Sequence, residues 1–155
     1  MHNHESRVRE FMRLAGQHLP ASPTLPTEEV CHLRATLILE EALEKIDALG
    51  FVVKVKSLYN DCTIERDVVE CIPHGDPPDL IEIVKESADT IVVSTGTLIS
   101  CGVPVESVLE LVDESNLAKY SGDYKIRPDG KVIKPTGWKK PDIASLLQNQ
   151  PVRES

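Results

Sequence analysis

Carboxylates appear twice in this chain where a core residue is expected. In Leu39-Glu40-Glu41-Ala42-Leu43-Glu44, Glu41 and Glu44 stand at i and i+3, and Glu86 and Asp89 repeat that spacing with Glu82 one turn earlier. Residues so spaced share one face of a helix. Leu37 precedes Glu41 by four, and Ala48 follows Glu44 by four, so the first face is otherwise apolar. Val93 and Gly96 continue the second face in the same way, and Glu40 lies at the edge of the first patch. Burying a bare carboxylate is costly, and acids that face one another also raise each other's pKa. A divalent cation removes both penalties. Mg²⁺ takes oxygen ligands and keeps waters, which suits two helices donating acids into a cleft, and Mn²⁺ is expected to substitute. A solvated face with pairs such as Glu41 and Lys45 would explain either helix alone. The same interruption on two helices favours a metal site.

Other metal chemistries fit less well. Glu29-Val-Cys-His32 is an E-x-x-H of the kind found in di-iron bundles, but it occurs once and lies about 17 Å along the helix from Glu40 at about 1.5 Å per residue. His32 reads as an ordinary half-buried side chain. Cys71-Ile-Pro-His74 could supply two zinc ligands, but no second pair has matching spacing. The four cysteines, at 31, 62, 71 and 101, read as reduced thiols.

Helices must carry these acids. A first is expected from about Ser6 to Gly16. A second runs from the N-cap Thr27 to Leu49 and stops at Gly50, a favoured C′ residue. Its apolar positions form two stripes, Val30, Leu33, Leu37 and Ala48, then Leu39, Leu43, Ile46 and Leu49, which place it inside a bundle. Asp76-Pro-Pro-Asp79 opens a third helix, with proline at or near N1, running from about Pro78 to Ser100. A fourth covers Val105 to about Tyr120, and Asp142 to Leu147 adds a last turn or two. Between the two acidic helices, Phe51 to Leu58 is β-prone, so a short strand or hairpin is expected within 51–75. Pro128-Asp129-Gly130 reads as a turn. The fold class is therefore all-α, a single domain over 1–155 with four main helices.

Composition narrows the function classes. The chain has 155 residues, 41% apolar and 27% charged, which is enough to bury a core. Its net charge of −8 and its 4% aromatics argue against a nucleic-acid polymer as partner. No apolar run reaches the ~18 residues of a membrane span. The polar start, Met1 to Arg13, shows no secretory signal, so a cytoplasmic location is expected.

Glu40-Glu41-x-x-Glu44 followed by Glu86-x-x-Asp89 resembles the E-E-x-x-E … E-x-x-D signature of the all-α NTP pyrophosphohydrolases. That superfamily contains MazG, the dimeric dUTPases and phosphoribosyl-ATP pyrophosphohydrolase. Val8-Arg-Glu-Phe11, Gly16-Gln17, Leu33-Arg34, Gly96-Thr97, Gly102-Val103, Ser115-Asn116-Leu-Ala-Lys119 and the stretch Asp129 to Pro141 resemble its MazG-like, phosphoribosyl-ATP pyrophosphohydrolase-like branch, near members that act on dUTP. Val52 to His74 departs from that pattern, in which the two acidic helices are joined by a shorter link.

The resemblance implies Mg²⁺-dependent conversion of NTP and water to NMP and pyrophosphate. It implies that Glu41, Glu44, Glu86 and Asp89 hold metal, with Glu40 either a further ligand or a supporting acceptor. Glu44 is the first candidate base and Glu41 the second. Lys119 and Lys134 are candidate phosphate contacts, Lys134 standing out from Lys131, Lys139 and Lys140 because Ile133 and Pro135 fix it. Asn116 either reads the base or sugar, or caps its helix. Gln17 and Arg34 are weaker substrate-binding candidates. Trp138 either stacks on a base or covers the bundle end. The implied assembly is a homodimer or a dimer of dimers, which would also bury Val105, Val108 and Val112. The expected substrate is dUTP or a non-canonical dNTP. Phosphoribosyl-ATP is the alternative, which the long tail after Tyr120 disfavours, and a silent nucleotide-binding module is a second.

Overall fold

The computed structural model describes residues 3–55, 69–122, 124–128 and 132–149. It is mostly helical: α1 His4–Leu14, α2 Glu28–Ala48, α3 Leu80–Ser100, α4 Val105–Leu117 and α5 Ile143–Gln148, with a 3-10 turn at Ala118–Tyr120. Two antiparallel ribbons complete it. Strands β1 Phe51–Val55 and β2 Val69–Pro73 pair with Phe51 opposite Pro73, and β3 Lys125–Ile126 pairs with β4 Val132–Ile133. The hairpin expected within 51–75 is therefore present, while residues 56–68 lie outside the described residues, as do Lys131 and part of the expected turn at 128–130. No single described helix is long and apolar enough to cross a membrane.

By contacts the chain divides into two compact units, one of Pro26–Thr97 and one of Met1–Leu25 with Leu98–Ser155. Within the first, α2 starts where its sequence dictates. The Thr27 side chain accepts from the Val30 N–H, and Gly50 takes φ +87° just past the helix end. The start of α3 differs from expectation. Both prolines precede the helix, and Asp79 is the effective cap, its Oδ1 accepting from the N–H groups of Ile81 at 2.8 Å and Glu82 at 3.3 Å. A carboxylate that satisfies two orphan donors sets the boundary more strongly than proline's fixed φ.

The two apolar stripes of α2 are not enclosed. Arg34 is its one buried residue, while Leu33, Leu39 and Leu43 stay exposed, Leu39 at 60%. On α3, Leu80, Ile81, Val84 and Ile91 are exposed too. A helix apolar on two sides needs cover on both, and these side chains lack it among the described residues. His32, expected to be half-buried, is exposed.

In the second unit Val8 and Met12 of α1, together with Ile99, Val103 and Val105, are buried. Val105 is thus covered within its own chain rather than waiting for a subunit contact. The corner between α3 and α4 turns at Gly102, whose φ is +69°. A Cβ there would lie 2.1 Å from the Ser22 carbonyl oxygen, and the Thr24 N–H donates to the Cys101 carbonyl at 3.0 Å, so the 20–24 loop is seated against this corner.

Candidate metal centre and the cavity beside it

Helix α2 presents Glu41 and Glu44 and helix α3 presents Glu86, with one oxygen of each within 4.8 Å of the others. Glu86 is only 5% exposed, Glu41 is half-buried and Glu44 is exposed. Glu41 Oε2 and Glu86 Oε2 are buried and accept no hydrogen bond among the described residues. Buried polar atoms are normally satisfied, so two orphaned carboxylate oxygens from two helices are the donor set that a hard divalent cation would complete. The electrostatics agree. The Glu41 carboxyl is pushed above the usual carboxylate range, first by burial and then by the charges of Asp89, Glu44 and Glu86.

Asp89 stands beside the three. It is partly exposed, and its Oδ2 lies 3.5 Å from the Lys85 ammonium. That ammonium also donates to Glu86 Oε1 at 2.5 Å, the contact that does most to raise the Lys85 pKa. Glu40 is exposed and lies outside the converging set.

A cavity of about 440 Å³ opens next to the acids, with Glu44 and Glu86 in its wall. Its other walls are the α2 end at Asp47 and Ala48, His74, and Asp76, Pro77, Asp79 and Glu82. His74 was legible only as half of an incomplete zinc pair. The structure gives it another place. Its Nδ1 accepts from the Asp76 N–H at 3.2 Å, which leaves the proton on Nε2, 3.2 Å from the Asp47 carbonyl. The His74 N–H donates to Gly50 and the Asp79 N–H to Ala48. The hairpin's exit is thus stitched to the C-terminal end of the helix that carries Glu41 and Glu44. Cys71 is exposed and free.

The remaining candidates are distributed differently. Arg34 is buried within α2, outside the cavity wall. Gln17 is half-buried after α1, its N–H donating to the Met12 carbonyl. Asn116 does not cap α4 with its side chain. Its Oδ1 accepts from Lys119 Nζ at 2.7 Å, so the i, i+3 pair shares a face as its spacing requires. Trp138 covers the end of α4. Its indole N–H donates to the Ser115 carbonyl at 2.8 Å, and the Ser115 hydroxyl donates to the Lys139 carbonyl. The Lys134 and Lys119 ammoniums lie 4.2 and 5.4 Å from the indole centroid. One aromatic ring therefore gathers two cations. Lys134 also lines a second cavity, of about 480 Å³, with Lys125, Ser121 and Thr136.

Two helices holding orphaned acids beside a polar cavity suit metal-assisted chemistry on a phosphate-bearing ligand. The family model for phosphoribosyl-ATP pyrophosphohydrolase matches residues 8–116, well over half of the chain, and the match includes all of the converging acids. No curated protein matches. MazG-like enzymes typically depend on a divalent metal and act as pyrophosphohydrolases, for which this acidic cluster is the fitting centre. The chain belongs to the phosphoribosyl-ATP pyrophosphohydrolase family, within the MazG-like NTP pyrophosphohydrolase superfamily.

Proposed function

We propose that this protein hydrolyses a nucleoside triphosphate, dUTP or a non-canonical deoxynucleotide by preference, to the monophosphate and pyrophosphate, using Mg²⁺ held by Glu41, Glu44, Glu86 and Asp89. The observation that carries the reading is the pair of buried, unpartnered oxygens Glu41 Oε2 and Glu86 Oε2. When bound, the metal supplies charge neutralisation for the triphosphate and acidifies water. Glu44 takes the proton of an attacking water, a role supported by its being the exposed acid of the three and by its lining the cavity, which Glu41 does not. Lys119 and Lys134, gathered on Trp138, are the phosphate contacts, and Asn116 holds Lys119 in place. Glu40, Gln17 and Arg34 keep supporting roles.

Assembly belongs to the same proposal. The exposed leucines and isoleucines of α2 and α3 need a cover, and a second copy of the chain supplies it in a homodimer or a dimer of dimers, in the cytoplasm.

A second reading has a specific observation behind it. The matched family is described by phosphoribosyl-ATP, so that nucleotide is the competing substrate. Against it stands the tail beyond residue 116, which carries Lys134 and Trp138 outside the matched stretch. Pyrophosphate release from dUTP, dCTP, dTTP, damaged nucleotides and phosphoribosyl-ATP separates the two. The proposal expects the highest kcat/KM for dUTP or a non-canonical dNTP, and a preference for phosphoribosyl-ATP overturns it.

A further inference from the structure

Lys85 stands outside the acidic signature, yet its ammonium sits within the cluster. It donates to Glu86 Oε1 and lies 3.5 Å from Asp89 Oδ2, touching both carboxylates of the E-x-x-D pair on α3. Its reach ends there. Glu86 Oε2, on the same carboxylate, and Glu41 Oε2 on α2 remain buried without a partner among the described residues. A single ammonium is a point charge with three donors and no means of bridging two helices. It neutralises one side of a site whose other side stays unsatisfied.

We propose that Lys85 is the resident counter-ion of the metal-free centre and that a divalent cation displaces it. Metal uptake is then an exchange. The Glu86 and Asp89 oxygens that the ammonium holds, with the orphaned oxygens it does not reach, would then hold the metal, and the ammonium would swing into solvent. The side chain is 57% exposed, so that movement needs no opening of the core. The exchange rests on the metal reading above and adds to it a built-in competitor that weakens metal affinity.

Two measurements on the full chain test it. The first is calorimetric Mn²⁺ binding to wild type, Lys85→Gln and Lys45→Gln. Lys45 is the control for general charge, since it follows Glu44 directly but makes no ion pair among the described residues. Losing a competitor tightens binding by the coupling between the two cations, so Lys85→Gln should bind Mn²⁺ about five- to tenfold more tightly than wild type, and Lys45→Gln much less so. Equal tightening in both variants overturns the exchange. The second measurement needs no variant. Lys85 acetylation by a water-soluble active ester, read by mass spectrometry, should rise when Mn²⁺ saturates the wild-type protein. If wild type binds Mn²⁺ and Lys85 labelling is unchanged or falls, the exchange is wrong while the metal centre stands. If neither wild type nor Lys85→Gln binds Mn²⁺, the metal centre fails and takes the exchange with it.

Discussion

Glu41 on α2 and Glu86 on α3 offer carboxylate oxygens within 4.8 Å of one another, and each buries an oxygen that accepts no hydrogen bond among the described residues. Two such acids are a liability in a protein that has no use for them. Their arrangement fits two helices that share one divalent cation, as the proposed function requires.

That liability has a pH signature. The Glu41 carboxyl is held above the usual range by burial first, then by Asp89, Glu44 and Glu86. A carboxyl with a raised folded pKa binds its proton more tightly when folded than when unfolded, so stability is lost as pH rises from the ordinary carboxylate range through the raised one. In EDTA the melting temperature should therefore fall across that window. Glu41→Gln should flatten the fall and melt higher than wild type at neutral pH. Thermal unfolding from about pH 4 to pH 8 checks both, and a variant that melts lower at neutral pH contradicts the account.

Asp89→Asn tests the role assigned to the partly exposed acid. It keeps the shape and the helix, so the far-ultraviolet circular dichroism should not change. Loss of a metal-holding acid should reduce kcat/KM by at least about 100-fold, the upper end of what a metal site's outer partners alone are worth. Wild-type turnover would mean that Asp89 only pairs with Lys85.

Asn116→Ala separates substrate reading from metal binding. It removes the acceptor that holds Lys119. The KM for dUTP should rise by about 10- to 100-fold, with Mn²⁺ affinity unchanged. Unchanged KM and an unchanged preference for dUTP over dCTP and dTTP would show the Asn116–Lys119 pair to be surface structure only.

Much of the centre was legible because it depends on i, i+3 spacing, which a helix converts directly into proximity. The caps at Thr27 and Gly50 were legible for the same local reason. Longer-range relationships were not. Asp79, rather than proline, sets the start of α3 because its side chain reaches two particular N–H groups. His74 reaches the end of α2 only through the pairing of β1 with β2, a contact between separate segments that no local pattern encodes. Lys85, outside the acidic signature, meets Glu86 and Asp89 because the helix turns it onto them. The double apolar face of α2 was visible, but its exposure was not, because periodicity shows which side is apolar and not what covers it.

Gly102 is another case where the neighbour decides. Its φ of +69° favours glycine, and an alanine Cβ there would meet the Ser22 carbonyl oxygen at 2.1 Å, which leaves no room for it. Gly102→Ala should destabilise by more than about 1 kcal/mol, lowering the melting temperature by at least about 2–4 °C. A variant as stable as wild type would mean that the 20–24 loop moves freely from the corner.

The most direct test of the central claim is phosphorus NMR of the products that the purified chain makes from dUTP, with Mg²⁺ and with EDTA. With Mg²⁺ the account predicts dUMP and pyrophosphate in equal amounts, and with EDTA no conversion. Undiminished hydrolysis in EDTA, or dUDP and orthophosphate as products, would contradict it.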